Sequence, residues 1–182
     1  MDSRPTSQPQ PWLAVGDEIA GVLERVNAED FAQLTTELSN TERRWFFSGQ
    51  GRSGLSAQMS AMRFMHLGNE AHVLGEVTAP SVRSGDGLVL ISGSGETPVS
   101  VNFARIAKEQ GARVIVLTTK PQSTLASVAD VVFTIPVEHT AQFGGSLFEQ
   151  TALLILDSVV LGIAATLDDA HATMLYRHTN MQ

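Results

Sequence analysis

The 182-residue chain contains no cysteine. Disulfides, thiolate metal sites and a cysteine nucleophile are thereby excluded. Positive charge is also short: 12 Lys and Arg stand against 19 Asp and Glu, a formal net charge of -7. Basic residues never cluster beyond the pair Arg43-Arg44, which argues against a general nucleic-acid surface. A local anion site remains open, because a helix end attracts an anion without net charge. No apolar run reaches the roughly 18 residues of a membrane span. Residues 1–11 lack the apolar core of a signal peptide and carry Pro5, Pro9 and Pro11 instead, reading as a disordered lead-in. The histidines His72, His139 and His171 lack metal-ligand spacing. These absences lead us to expect a soluble cytoplasmic protein with no metal, no membrane and no nucleic-acid partner. Hydrophobic residues make up 43%, enough to pack one sizeable domain over residues 12–182.

The chain is organised around Leu88-Val89-Leu90-Ile91-Ser92-Gly93-Ser94-Gly95-Glu96-Thr97. Four apolar residues predict a buried parallel strand. Small and hydroxyl residues follow, and Pro98 suits the first turn of a helix. The apolar stripe Val99, Phe103, Ile106 and Ala107 predicts that helix's buried face. A strand, a hydroxyl-rich loop and a helix start together make an anion site. First-turn amides lack internal acceptors and sit at the positive end of the macrodipole. Ser92, Ser94 and Thr97 can donate hydroxyl hydrogen bonds, and Gly93 and Gly95 admit close approach of the backbone. Without a lysine the loop is not a Walker-type loop. It suits a phosphorylated metabolite better than a nucleoside triphosphate on magnesium.

The rest of the chain alternates. Two helices are expected between about Trp12 and 40: Val15, Ile19, Val22, Leu23 and Val26 share one face, and Asn27 caps a second helix with Phe31, Leu34 and Leu38. Strands are expected at 45–48, 71–74, 113–117 and 130–136 in addition to 88–91. Between the first two lies a helix whose core face we assign to Leu55, Met59, Met62 and Met65. A short helix is expected near 123–126, a long one over about 147–167, and a last short one from 168 to 177. The long helix is apolar almost all round, which favours burial on more than one side and oligomerisation. The pattern predicts an α/β fold. It is a three-layer αβα sandwich with a five-stranded, mostly parallel sheet, flanked by N-terminal and C-terminal helices.

Gly49-Gln50-Gly51-Arg52-Ser53-Gly54 also lies between a strand and a helix, in the form G-x-G-x-x-G, with Glu76 following the next strand. That is the outline of a dinucleotide fingerprint. It leaves loop 92–97 unused and leaves little room for a substrate domain. Phosphosugar binding and dinucleotide binding both stand at this point.

A resemblance covers nearly the whole chain from about residue 12. Ser92-Gly93-Ser94-Gly95-Glu96-Thr97 has the form of the phosphate loop of sugar isomerase (SIS) domains. Gly51-Arg52-Ser53-Gly54, residues 62–68, Gly75-Glu76, residues 148–152 and Arg177-His178-Thr179-Asn180 match more narrowly. On these the chain resembles the 6-phospho-3-hexuloisomerase family. The resemblance implies interconversion of D-arabino-3-hexulose 6-phosphate and D-fructose 6-phosphate through an enediol, in the ribulose monophosphate route of formaldehyde fixation. It implies a metal-independent intramolecular oxidoreductase with no cofactor. It also implies a homo-oligomer, tetrameric in tendency, whose pathway neighbour is 3-hexulose-6-phosphate synthase.

By the same resemblance Glu149 matches the proposed catalytic base, and Ser53 reaches the sugar phosphate. Local sequence offers Glu149 another role: Ser146-Leu147-Phe148-Glu149 is a capping box, in which Glu149 would bond the Ser146 amide. Arg52 is open between the substrate's charge and an ion pair. Glu96 is expected to turn away from phosphate or to act on sugar hydroxyls. His66 and His178 are candidates for moving protons between oxygens, and the tail bearing His178 could reach a neighbouring subunit. Two alternatives stay open: an isomerase for another phosphosugar, and a sugar-phosphate sensor without catalysis.

Overall fold

The computed structural model describes residues 10–181. Five strands form one fully parallel sheet, in the order β2-β1-β3-β4-β5. They are β1 (Trp45–Gly49), β2 (Ala71–Val73), β3 (Gly87–Ile91), β4 (Arg113–Thr118) and β5 (Val131–Thr134). Seven helices accompany them among the described residues: α1 (Pro11–Leu23), α2 (Ala28–Leu38), α3 (Arg52–Leu67), α4 (Pro98–Glu109), α5 (Thr124–Val128), α6 (Ser146–Ala164) and α7 (Ala170–Arg177). Residues 1–9 of the expected lead-in lie outside the described residues, and Pro11 already opens α1.

The two-residue period of the strands builds two cores. Trp45, Phe47, Val89, Ile91, Ile115 and Leu117 point to one side, where α1, α2, α3 and α6 cover them. Phe46, Leu88, Leu90, Val114 and Val116 point to the other, under α4 and α5. This is the expected three-layer sandwich. Both faces of the sheet are apolar because both are covered.

Two helices turn differently from expectation. On α3, Leu55, Met59 and Met62 are 58%, 49% and 46% exposed, while Ser56, Ala57, Ser60, Ala61 and Phe64 face inward. On α4, Val99 and Ile106 are exposed, and Ser100, Val101, Ala104 and Ala107 face inward. Small residues let each helix approach the sheet and its neighbours closely, so the larger apolar side chains are left outside. Helix α6 is long and apolar enough to cross a bilayer by length and composition alone. Here it packs into the larger core through Leu147, Phe148, Ala152, Ile155 and Val159, with Leu154 and Leu161 remaining exposed.

The strand order reverses direction at β1, with β2 on one side and β3 on the other. Ligands of open parallel sheets bind outside the carboxyl ends of strands at such a switch point. The loops that leave β1 and β3 there are residues 50–51 and 92–97.

Candidate active site

Loop 92–97 is held from beneath by β4. The hydroxyls of Thr118 and Thr119 donate to the Gly93 carbonyl at 3.1 and 2.9 Å, and the Thr119 amide adds a third bond at 3.1 Å. Gly95 has φ +65°, and a side chain there would collide with Ser123 Oγ. Only glycine fits both constraints. The Gly95 carbonyl accepts from the Leu125 amide at 2.9 Å. The loop's shape is therefore set before any ligand arrives.

Its hydroxyls converge. Ser92 Oγ and Thr97 Oγ1 lie 3.3 Å apart, and Ser94 Oγ accepts from the Glu96 amide at 3.2 Å. Thr97 is the N-cap of α4, yet its side chain makes no capping bond and Pro98 follows. The first-turn amides of α4 thus have no side-chain acceptor, which suits an incoming anion. Ser100, in that same turn, is fully buried, and its hydroxyl has no partner among the described residues. Glu96 Oε1 accepts from the Thr124 amide at 2.7 Å, and this bond lowers the Glu96 pKa.

The loop after β1 supplies Arg52 and Ser53 at the start of α3. Gly49 and Gly54 are packed so tightly that a Cβ on either would strike backbone of the other's turn. Strand and helix therefore meet closely enough to present Arg52 toward α6. Arg52 Nε donates to Glu149 Oε1, uniting two candidate residues 97 positions apart. Glu149 is 6% exposed. It does not close a capping box. Gly145 is the N-cap of α6 and makes no side-chain cap, while Ser146 Oγ donates to the Phe143 carbonyl at 2.8 Å. With Ser146 engaged backward, the carboxylate is free to face Arg52. A cleft of about 210 Å³ borders the pair, lined also by Leu55, Ser56, Met59 and Gln150.

The first turn of α6 joins the parts. Phe148 packs against Gly93, where a Cβ would lie 3.1 Å from its ring. The Glu149 carbonyl accepts from Ser56 Oγ at 3.2 Å. Loop 92–97, α3 and α6 thus meet at one end of the sheet.

The histidines are elsewhere. His66 lies 14 residues beyond Arg52 on the same helix, about 21 Å along its axis. It stacks on His178 with ring centroids 5.4 Å apart, beside Arg63 and His171. Burial, then the charges of Arg63 and His178, lowers its pKa. Within one chain neither histidine joins Glu149. Glu76, the acidic residue of the dinucleotide reading, lines a separate cleft with Gln58, Met62 and His72. No group of three or more His, Asp or Glu among the described residues is arranged to hold a metal ion.

Thr118, Thr119, Ser123 and Ser56 are contributors that sequence reasoning did not single out. A signal existed for two of them. Thr118 ends β4 and Thr119 follows it, so the rule that sites form at strand carboxyl ends points to them.

A parallel sheet with a hydroxyl-and-glycine loop at its switch point, packed against the helix that carries a buried glutamate, is the architecture of a phosphosugar-binding domain. The SIS domain model matches residues 37–161. The chain belongs to the SIS domain family, among homologues of 3-hexulose-6-phosphate isomerase. It is 38% identical to the 3-hexulose-6-phosphate isomerase of Mycobacterium gastri, over 92% of this chain and 88% of that one. It is 36% identical to the enzyme of that name from Bacillus subtilis, over 86% and 89%. A crystal structure from Methanococcus jannaschii, reported as inferring the same molecular function, superposes with a TM-score of 0.82 at 30% identity. It covers 94% of this chain and 99% of its own. The dinucleotide reading of residues 49–54 ends here.

Proposed function

We propose that this chain is a 3-hexulose-6-phosphate isomerase with Glu149 as its base. The observation that carries the assignment of the base is the pairing of a buried Glu149 with Arg52 beside a preformed anion loop. The phosphate sits on Ser92, Ser94 and Thr97 and on the amides of 93–97, with Ser53 reaching it from the first loop. Glu149 removes the proton from C2 of the 3-ketose while O3 gains one, giving a 2,3-enediol. The same carboxyl then returns the proton to C3 as O2 gives up its own, leaving the 2-ketose. Arg52, 65% exposed along its side chain, moves from Glu149 to a sugar oxygen or the phosphate. Glu96 serves by anchoring the loop to α5.

Exposed Leu55, Met59 and Met62 on α3 support assembly into a homo-oligomer, which we take to be a tetramer. In that assembly a neighbour supplies the end of the molecule bearing His66 and His178, which its own chain keeps away from Glu149. The substrate comes from a 3-hexulose-6-phosphate synthase. A charged phosphosugar does not cross a bilayer unaided, so enzyme and substrate share the cytoplasm.

Proton exchange tests the reading. In heavy water, the wild type should replace the C3 hydrogen of fructose 6-phosphate with deuterium. Glu149→Gln should slow this by about 10²- to 10⁴-fold and keep its affinity for the sugar phosphate. Exchange at C1 instead would assign an aldose–ketose isomerase. No exchange with tight binding would assign a sensor.

A further inference from the structure

Helix α6 carries Glu149, and no side chain caps its start. Its N-cap is Gly145, without a side-chain cap. Gly144 before it has φ +61°, and neither glycine has a neighbour within 4 Å of where a side chain would begin. A two-glycine entry without a cap gives the backbone leading into the helix no support of its own. Phe148 and Ser56 hold the first turn from the sheet side, and α1 holds the segment that enters it.

Glu18 of α1 accepts three hydrogen bonds from the segment leading into α6. Thr140 Oγ1 donates at 2.7 Å, the Ala141 amide at 2.7 Å and Gln142 Nε2 at 3.0 Å. Thr140 Oγ1 also accepts from the Gln142 amide at 2.9 Å, closing the segment on itself. Arg25, in the turn just past the end of α1, donates to the Pro136 carbonyl at 3.0 Å. The segment is thus gripped at its start by the turn after α1 and at its middle by α1 itself. From there the chain of contacts is short. The Phe143 carbonyl accepts from Ser146, and the Gly145 carbonyl accepts from the Glu149 amide. Leu147 lines a cleft with Glu18, Val22 and Arg25, so α6 also rests directly on α1.

We propose that Glu18 is a positioning residue for the isomerase reaction: through residues 140–142 it sets the start of α6 and hence the placement of the Glu149 carboxylate. This rests on the isomerase reading for its kinetic consequence and on geometry alone for its structural one. The phosphate loop makes no bond to Glu18, so phosphate binding should not depend on it. Three bonds on one carboxylate, two of them from a hydroxyl and an amide held in fixed geometry, favour the ionised acid over its amide.

The test uses the full chain with Glu18→Gln, Glu18→Asp and Thr140→Val. Glu18→Gln should lower kcat by about tenfold to hundredfold, the scale of an ångström of misplacement, with KM within about twofold. Thr140→Val should lower it less, by about threefold to fivefold. The double variant should show no more than the larger single effect, because both break one clamp. Glu18→Asp should recover part of the loss. Amide exchange gives a second readout that needs no turnover: residues 140–149 should exchange faster in Glu18→Gln, with 92–97 unchanged. Unaltered kcat in an active enzyme, additive effects of the two substitutions, or unchanged exchange over 140–149 would overturn the proposal. An inactive wild type with accelerated exchange in Glu18→Gln would uphold the clamp and remove the isomerase reading alone.

Discussion

Glu149 is a buried carboxylate, and an ionised one alone would cost several kcal/mol of desolvation. Arg52 offsets that cost from a largely exposed position, so the pair can open when substrate arrives. The local sequence around Glu149 spells a cap, because a capping box depends only on residues three apart. The partner that decides its role lies 97 positions earlier, beyond any local pattern. Ser92, Ser94 and Thr97 were legible for the opposite reason: strand, loop and helix start are contiguous there. His66 illustrates burial with a measurable consequence. Its imidazole lies below the ordinary 6.5 because burial, Arg63 and His178 all disfavour the charged form. As pH falls, the unfolded chain protonates first. Stability is therefore complete above the unfolded value and drains away as pH drops toward the folded one. Melting temperature should fall between about pH 7.5 and pH 5.5, and His66→Gln should reduce the fall. An equal fall in both proteins would contradict this placement of His66.

At the scale of elements, the strands and their order of occurrence were readable because both faces of the sheet are covered and each strand is a short apolar run. The inner faces of α3 and α4 were not. Apolar periodicity selects the largest side chains, whereas close packing against the sheet selected Ala57, Ala61 and Ala104. A single sequence does not show how closely two elements approach. The first turn of α6 is the element that ties stability to binding, through Phe148 on Gly93. Phe148→Ala should cost about 3–5 kcal/mol in urea unfolding, the usual penalty for emptying a buried phenyl site. It should also raise KM for the phosphosugar, since the loop loses the ring behind it. A loss of stability with KM unchanged would show that the ring does not shape the loop.

At the scale of the molecule, one end of the sheet is built for an anion and the α3 surface is left apolar. The exposed Leu55, Met59 and Met62 make sense if another copy covers them. Leu55→Ser with Met59→Ser should lower the mass seen in sedimentation and reduce turnover, while circular dichroism stays that of the folded chain. Unchanged mass would place the interface elsewhere.

The central claim is isomerisation of 3-hexulose 6-phosphate with Glu149 as the base, and a coupled assay tests it most directly. Ribulose 5-phosphate, formaldehyde and a hexulose-phosphate synthase would generate the substrate in place, and fructose 6-phosphate would be followed. Rapid formation by the wild type, reduced by about 10²- to 10⁴-fold in Glu149→Gln, is the predicted result. No fructose 6-phosphate from the wild type, or undiminished formation by Glu149→Gln, would contradict it.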